Sequence, residues 1–555
     1  MIKKITYSEV FEKISLVLKP ERSFFITSII YGIGVSLLML AIPVSVQSLI
    51  NTVTFGVIAQ PLVVLSLVLF GLLLFSGALN AMQTYTIESF QQHFYTRITS
   101  EIIQKLINAS PKALEKNNKA DLANRYFDVM TIQKSVTTLL TGGVAIVMQT
   151  LSGLLLLALY HPYFLVFDIL LLATLYLTWK LYAKSGFITA TKESKAKYNV
   201  GSMLDEIVEL GVFCKEVNRR KQVIQRANER IEEYINQRRK HFKFVFSQNI
   251  LLLLIYAFMS ALILGLGGYL VIKQQLSLGQ LVAAELVVTV ILASFSKANK
   301  YLEALYDLYA AVDKISAFYE LPPEDNLFIP SEDIVPGNIT FKNVEVNLGD
   351  RKYSFDKTFE LGKKYLVHST HYTYKAMFLE LIQGITQPDK GSVFLGDQHF
   401  NELSLPFLRQ HIHVVNKPCI VEGSIAENLS FGNPNVNISD VRDALNVNNL
   451  EVLEDYFKKG VNLEINSNGA PLWSNQVYRL ELARTLLSPA KVIVLSRFFD
   501  QIGTQRRNSF LKEIMKSDKT VILISNHLYP SFEFDEYIDF KNGEMIVKDQ
   551  GECLE

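Results

Sequence analysis

A chain of 555 residues has room for two or three domains. Its hydrophobic fraction of 49 % and mean hydropathy of +0.20 are high for a soluble protein. A net charge of +1 gives no overall attraction to nucleic acid. Cys214, Cys419 and Cys553 make no pairing pattern, which points to a reducing compartment. The average charge conceals a division: long uncharged stretches lie before residue 300, and charges are frequent after it.

Residues 1–22, MIKKITYSEVFEKISLVLKPER, are a charged, helix-periodic lead-in with no small-residue cleavage site. Neither a cleavable signal peptide nor an N-terminal peptidase domain is expected. A spanning helix needs about 20 apolar residues. Residues 23–87 contain no charge, enough for two spans joined by NTVTFGVIAQP (51–61). Residues 136–167 lack Asp, Glu, Lys and Arg, YHPY (160–163) marks a turn, and the apolar pattern runs past Asp168 to Trp179. Residues 245–272 make a fifth span, and 277–296, interrupted by Glu285, a sixth. A six-helix membrane domain is therefore expected over 23–318.

The loops after the first and third spans hold no Lys or Arg, and the loop after the fifth holds only Lys273. On the other side lie EIIQKLINASPKALEKNNKADLANR (101–125) and KEVNRRKQVIQRANERIEEYINQRRKHFK (215–243). This asymmetry predicts that both ends of the chain are cytoplasmic. Charged amphipathic segments continue from the second, fourth and fifth spans, which predicts helices reaching well beyond the bilayer. Pro43 is expected to kink the first span. Gln47 reads as interhelical glue more than as a substrate ligand. Glu285 lies at membrane depth, where a carboxylate is costly and often functional; the alternative is a position near one helix end, hydrated or protonated.

A Pro-rich acidic linker over 319–337, containing ELPPEDNLFIPSEDIVPG, precedes an α/β pattern over 338–555. NITFKNVEVNL alternates like a strand. KKYLVHS (363–369) reads as a strand, KAMFLELIQGI (375–385) as a helix and KGSVFLGD (390–397) as another strand.

The whole chain resembles the type I ABC exporters, half-transporters in which a six-helix membrane domain is fused to one P-loop-like cassette. DLANRYFDVMTIQKSV and LSLGQLVAA are similar to membrane segments of the secretion and peptide-export branch. LSLPFLRQHIHVV, EGSIAENLSFGNP and RLELARTLLSPAKVIVL are similar to the cassette framework. Bacterial inner-membrane location and a periplasmic adaptor are what this branch implies.

The resemblance also shows what has been replaced. A P-loop wraps phosphates with glycine amides, adds a Lys for charge and a Ser or Thr for Mg²⁺. Aligned on GKKYLV and LIQGITQPDKG, that loop falls on STHYTYKAM, with Ser369, Tyr372 and Tyr374 at glycine positions. Lys375 is retained, but Ala376 and Met377 follow it. The two tyrosines are expected to block the phosphate cradle, and Lys375 to be a solvated charge. Leu348 stands at the adenine-stacking position, Lys417 at the Gln that meets metal and water, and Ser496 and Arg497 at the Walker B Asp and catalytic Glu. The D-loop Asp is replaced around Gly503. The switch His falls on Asn526, and a one-residue slip would put His527 there. The signature L-S-G-G-Q reads LWSNQ, so Trp473 replaces the Ser, Ser474 and Asn475 the glycines, and Gln476 remains.

The expectation is a degenerate ATPase, not an enzyme, with no catalytic residue, no metal and no nucleotide at its own Walker site. ATP and Mg²⁺ would be met only through an active partner. Two roles remain open: a non-catalytic half paired with an intact half-transporter, or a homodimeric or accessory pseudo-transporter that scaffolds a secretion complex.

Overall fold

The computed structural model describes residues 7–54, 60–116, 119–325, 337–349, 351–368, 372–450, 459–541 and 544–548. Most of the linker and Cys553 lie outside them. The chain divides into two compact units, residues 1–109 with 113–323 and residues 110–112 with 324–555.

The first unit is helical. It runs through α1 (Tyr7–Leu18), α2 (Arg22–Met39), α3 (Ala41–Thr54), α4 (Gln60–Ile107), α5 (Pro111–Lys116), α6 (Lys119–Arg125), α7 (Asp128–Thr138), α8 (Val144–Tyr160), α9 (Pro162–Leu210), α10 (Val217–Ile272) and α11 (Leu278–Tyr319). Among the described residues five stretches are long and apolar enough to cross a membrane: Phe11–Val53, Gln60–Ile107, Leu122–Tyr160, Pro162–Lys215 and Val217–Ile272. The described apolar opening of α11, Leu278–Ile291, is a shorter sixth. At 1.5 Å per residue the 48 residues of α4 span about 72 Å and the 56 of α10 about 84 Å, against a hydrocarbon core of about 30 Å. Both therefore continue far past any bilayer as unbroken helices.

Local chemistry sets the breaks. Pro43 has no N–H to offer the Met39 carbonyl, and the helix is interrupted at Leu40 between α2 and α3. His161 is extended (φ −160°) and its ring accepts the Tyr163 N–H at 3.2 Å, with Pro162 opening α9. Ser277 and Gln280 form a reciprocal capping box at the start of α11, with bonds of 3.1 and 2.9 Å.

Phe90, Phe94, Ile98 and Ile102, spaced by four on α4, pack with Val129, Ile132 and Val136 of α7 and with Leu308, Val312 and Ile315 of α11. Each such side chain contributes about 1.5–3 kcal/mol on burial. Glu21, fully buried between α1 and α2, accepts the Arg97 Nε–H at 2.7 Å and contacts His93 Nδ1 at 2.9 Å. That pairing offsets the cost of its desolvation.

The second unit is α/β. Its strands are β1 (Ile339–Leu348), β2 (Arg351–Phe359), β3 (Lys364–His368), β4 (Lys390–Leu395), β5 (Gln398–His399), β6 (Ile412–Val415), β7 (Gly423–Ser424), β8 (Glu464–Ile465), β9 (Val492–Leu495), β10 (Thr520–Ser525), β11 (Glu536–Lys541) and β12 (Glu544–Lys548). An antiparallel sheet has the order β2-β1-β4-β5, and a second sheet the order β12-β11-β3-β10-β9-β6. In the second, β11, β3, β10, β9 and β6 are parallel neighbours. Every residue of β9 and β10 is buried, as expected for a parallel sheet covered on both faces.

The helices are α12 (Tyr372–Ile382), α13 (Leu405–His411), α14 (Ile425–Ser430), α15 (Ile438–Val447), α16 (Ser474–Leu487) and α17 (Thr504–Ile514). α12 begins three residues earlier and ends three earlier than the pattern at 375–385 predicts. Gly384, at φ +66°, turns the chain away, and a Cβ there would come within 2.6 Å of Leu405. Phe341, Phe355, Phe359, Phe378 and Phe540 form the aromatic core beside α12.

Candidate functional site

In open α/β sheets ligands meet the carboxyl ends of the strands. Here β10 lies between β3 and β9, with Ser525 paired to His368 and Leu523 to Leu495. The residues just beyond these ends, Ser496 after β9 and Asn526 after β10, and Lys375 in the first turn of α12, form the candidate site. Ser369 lies outside the described residues.

Lys375 is only 5 % exposed, and its ammonium donates to Asn526 Oδ1. It is therefore not the solvated charge that its place near a helix start predicts. The sheet register sets Asn526, not the exposed His527, against it; the His527 backbone N–H donates to Ser525 Oγ at 2.9 Å.

Tyr374 corrects a second expectation. It does not stand across the cradle but turns into the core, 1 % exposed. Its ring stacks on Phe540 at 4.3 Å, and its hydroxyl donates to the Ser354 carbonyl at 2.6 Å. Burial raises its pKa well above the usual phenol value. Tyr372 is exposed. The residue expected at a glycine position is a core aromatic.

Ser496 is buried, and its hydroxyl donates to the Asn416 carbonyl at 3.4 Å and accepts the Phe498 N–H at 3.4 Å. It thereby caps the short turn Arg497–Gln501. The Arg497 side chain lies outside the described residues. Lys417 is exposed in the loop after β6. Leu348 is exposed at the end of β1, and Gly503 is exposed just before α17.

At the start of α16, Trp473 is 76 % exposed. Gln476 accepts the Trp473 backbone N–H at 2.8 Å, so the retained Gln serves as a helix cap. Ser474 and Asn475 are exposed beside it.

Sequence reasoning passed over Asp500. Its carboxylate accepts the Asn526 N–H at 2.8 Å and the Ser525 hydroxyl, with Tyr529 Oη at 3.4 Å and Arg507 Nη1 at 3.7 Å. Burial pushes the Tyr529 phenol up to about 12. An acidic residue closing a turn after a buried strand was the available signal. The network ties the turn after β9 to the end of β10 and hence to Lys375.

Also passed over were Glu481 and Arg484. Glu481 accepts the Cys419 N–H at 2.9 Å, while Arg484 donates to the Cys419 carbonyl at 2.6 Å and, through Nε, to the Asn428 carbonyl at 2.8 Å. They fasten the loop carrying Lys417 to α14 and α16.

In the first unit, Gln47 Oε1 accepts the Tyr160 hydroxyl at 2.6 Å, which joins α3 to α8. Glu285 lies near the start of α11, and its Oε2 is buried with no hydrogen-bond partner among the described residues. Asp168, in the second turn of α9, is 6 % exposed with Oδ1 likewise unpartnered. A charged residue at the margin of an apolar run gave only a weak signal for it.

Residues 25–295 match the ABC transporter transmembrane region. The lactococcin-A transport/processing ATP-binding protein LcnC of Lactococcus lactis is 24 % identical over 313 residues, covering 56 % of this chain and 43 % of that protein. The transport/processing ATP-binding protein ComA of Streptococcus pneumoniae is 24 % identical over 302 residues, covering 53 % of this chain and 41 % of its own. The chain thus spans about two-fifths of the length of these curated relatives. The structure of a bacterial Atm1-family ABC exporter with ATP bound superposes with a TM-score of 0.84 at 15 % identity, covering 97 % of this chain and 96 % of the other. Residues 25–295 thus match an ABC transporter transmembrane region, the chain is similar in sequence to LcnC and ComA, and as a whole it has the ABC-exporter fold, a helical membrane domain followed by an α/β domain.

Proposed function

We propose that this chain is a non-catalytic, ABC exporter-like subunit of a membrane export complex, paired with a half-transporter that hydrolyses ATP. The observation that carries the reading is the commitment of Lys375 to Asn526. The one retained phosphate-binding residue is buried and bonded to the side chain at the switch position.

The neighbouring substitutions support the same reading. Phosphoryl transfer rests on positioning and on metal-borne charge. With Ser496 and Arg497 after β9, no carboxylate stands at either Walker B position. A cation such as Arg497 repels Mg²⁺ by about 4 kcal/mol per charge pair at ~4 Å and an effective dielectric of ~20. No hydrolysis is expected at this chain's own site, and ATP and Mg²⁺ enter through the partner. In this reading both ends are cytoplasmic, from the loop charges, and the bacterial inner membrane and a periplasmic adaptor follow from the resemblance to the secretion branch.

Trp473 favours a second reading. It is a large exposed aromatic where a γ-phosphate contact would stand in a signature motif, and such residues anchor protein interfaces. In that reading the chain forms a homodimer, or joins a complete transporter, as a scaffold.

Native mass spectrometry of the tagged protein, released gently from its own membrane, separates the two. Recovery with one intact half-transporter supports the first. A homodimer, or an extra subunit on a complete transporter dimer, overturns it in favour of the scaffold.

A further inference from the structure

The turn that leads into the first span sorts its charges. Within Lys19–Glu21 the ring of Pro20 fixes the backbone, and Glu21 turns inward to Arg97 and His93. Lys19 and Arg22 stay exposed, and their side chains have no hydrogen-bond or ion-pair partner among the described residues. Both line a cavity of about 1200 Å³ between α1, α2, α9 and α11. Lys13 and Asp313 also line it but are paired with each other, and Glu12 is a further carboxylate there. Glu12, Lys19 and Arg22 therefore leave one positive charge in excess.

Helix lengths give the depth of this cavity. The chain carries no charge from residue 23 to residue 87, so Arg22 stands at the edge of the first span. At 1.5 Å per residue Arg22 lies about 48 Å along α2 and α3 from Thr54, and the cavity-lining Thr191 about 44 Å along α9 from Pro162. Because the spans alternate in direction, Thr54 and Pro162 lie on one side of the membrane. A bilayer with its headgroups is about 40–45 Å thick, which puts the cavity at the headgroup level of the other side.

On α2, Ile26, Ile30, Ile33 and Leu37 follow Arg22 on one face at helical spacing, and all four are exposed. Ser28, Gly32 and Ser36 are buried on the opposite face. Small residues inward and large aliphatics outward is the order of a helix that packs on protein on one side and on lipid on the other. From Ile26 to Leu37 the stripe is about 16 Å long, close to half of a ~30 Å hydrocarbon core. Two unpaired cations at headgroup level, with an apolar stripe one leaflet long running from them, complement a molecule with an anionic head and an apolar tail.

We propose that this cavity binds the phosphate of an anionic phospholipid through Lys19 and Arg22, with an acyl chain lying along α2 over residues 26–37. The site is independent of the α/β domain and needs no nucleotide.

Native mass spectrometry of the full chain in detergent, titrated with palmitoyl-oleoyl phosphatidylglycerol, tests it. One saturable lipid adduct per chain is expected. Phosphatidylethanolamine with the same chains, lacking the net charge, is expected to bind about fivefold more weakly. Lys19→Gln with Arg22→Gln should lower the affinity for phosphatidylglycerol about thirtyfold, the attraction of two basic residues. Lys180→Gln with Lys184→Gln, an equal loss of charge at exposed positions of α9 outside the cavity, should leave it unchanged. Glycerol 3-phosphate, a headgroup without tails, is expected not to compete; competition at the lipid's own concentration would assign the site to free phosphate and overturn the proposal. Equal affinity for the two lipids, an unchanged affinity in the Lys19 and Arg22 variant, or an equal loss in the Lys180 and Lys184 variant also overturns it. The comparison of the two lipids uses the unaltered chain and decides even if a variant does not fold.

Discussion

The ammonium of Lys375 donates to Oδ1 of Asn526, across 151 residues of sequence. Because the lysine is buried, removing it leaves an amide oxygen without its partner as well as a gap at the start of α12. Lys375→Ala is expected to leave export unchanged in cells that retain the partner, while destabilising the α/β domain by about 1–3 kcal/mol. For a domain of this size that is a fall of about 2–4 °C in Tm per kcal/mol, read by thermal denaturation. Loss of export at normal protein levels would contradict the non-catalytic reading.

Tyr374 gives a sharper contrast between chemistry and packing. Restoring glycine there removes an aromatic that stacks on Phe540 at 4.3 Å. Tyr374→Gly is expected to cost at least the ~3–5 kcal/mol of a large aromatic truncation and to confer no ATP binding. Tyr374→Phe keeps the stack and loses only the 2.6 Å bond to Ser354, about 1 kcal/mol. Denaturant titration of both variants, with labelled-ATP binding, checks the pair.

Asp500 and Arg507 are both largely buried, at 12 % and 8 % side-chain exposure. Asp500→Ala leaves the guanidinium without its counter-charge and the Ser525 hydroxyl and Asn526 N–H without their acceptor, and a loss of about 3–5 kcal/mol is expected. Asp500→Ala with Arg507→Met should recover part of it, because the unpaired charge goes too. A double-mutant cycle on Tm measures this, and a strictly additive result would remove the network from the account.

His413, on β6, has its pKa pushed down from the ordinary 6.5 to about 4, first by burial and then by Arg484 and Lys519. Its Nε2 has no hydrogen-bond partner among the described residues. The unfolded chain therefore binds the extra proton between pH 6.5 and 4, so stability is complete above that window and falls as pH drops through it. The contribution is at most about 3 kcal/mol. Tm should decline with acidification over this range, and His413→Val should flatten the decline.

Cys214, in the turn Gly211–Lys215, and Cys419, in the loop after β6, are free thiols on opposite sides of the linker in sequence. If both ends are cytoplasmic, a membrane-impermeant maleimide labels both in inverted vesicles and neither in right-side-out vesicles. With Cys553→Ser to remove the third thiol, labelling in right-side-out vesicles would reverse the assigned orientation.

Local chemistry alone determined much of this protein. Uncharged runs of the right length specified the spans, Pro43 the break at Leu40, Ser277 and Gln280 the start of α11, and unbroken apolar strings the buried strands β9 and β10. These features depend on neighbours within a few residues, so a one-dimensional pattern carries them. The residues expected at the nucleotide positions were picked out by the same kind of pattern. What became of those side chains was not. Tyr374 points inward because the sheets bring Ser354 and Phe540 to it, and Lys375 is buried because β10 ends beside α12. The buried carboxylate oxygens of Glu285 and Asp168, without a partner among the described residues, are likewise products of helices meeting from distant parts of the chain. Burial and hydrogen-bond satisfaction depend on what else occupies the surrounding volume, and only the tertiary structure decided that.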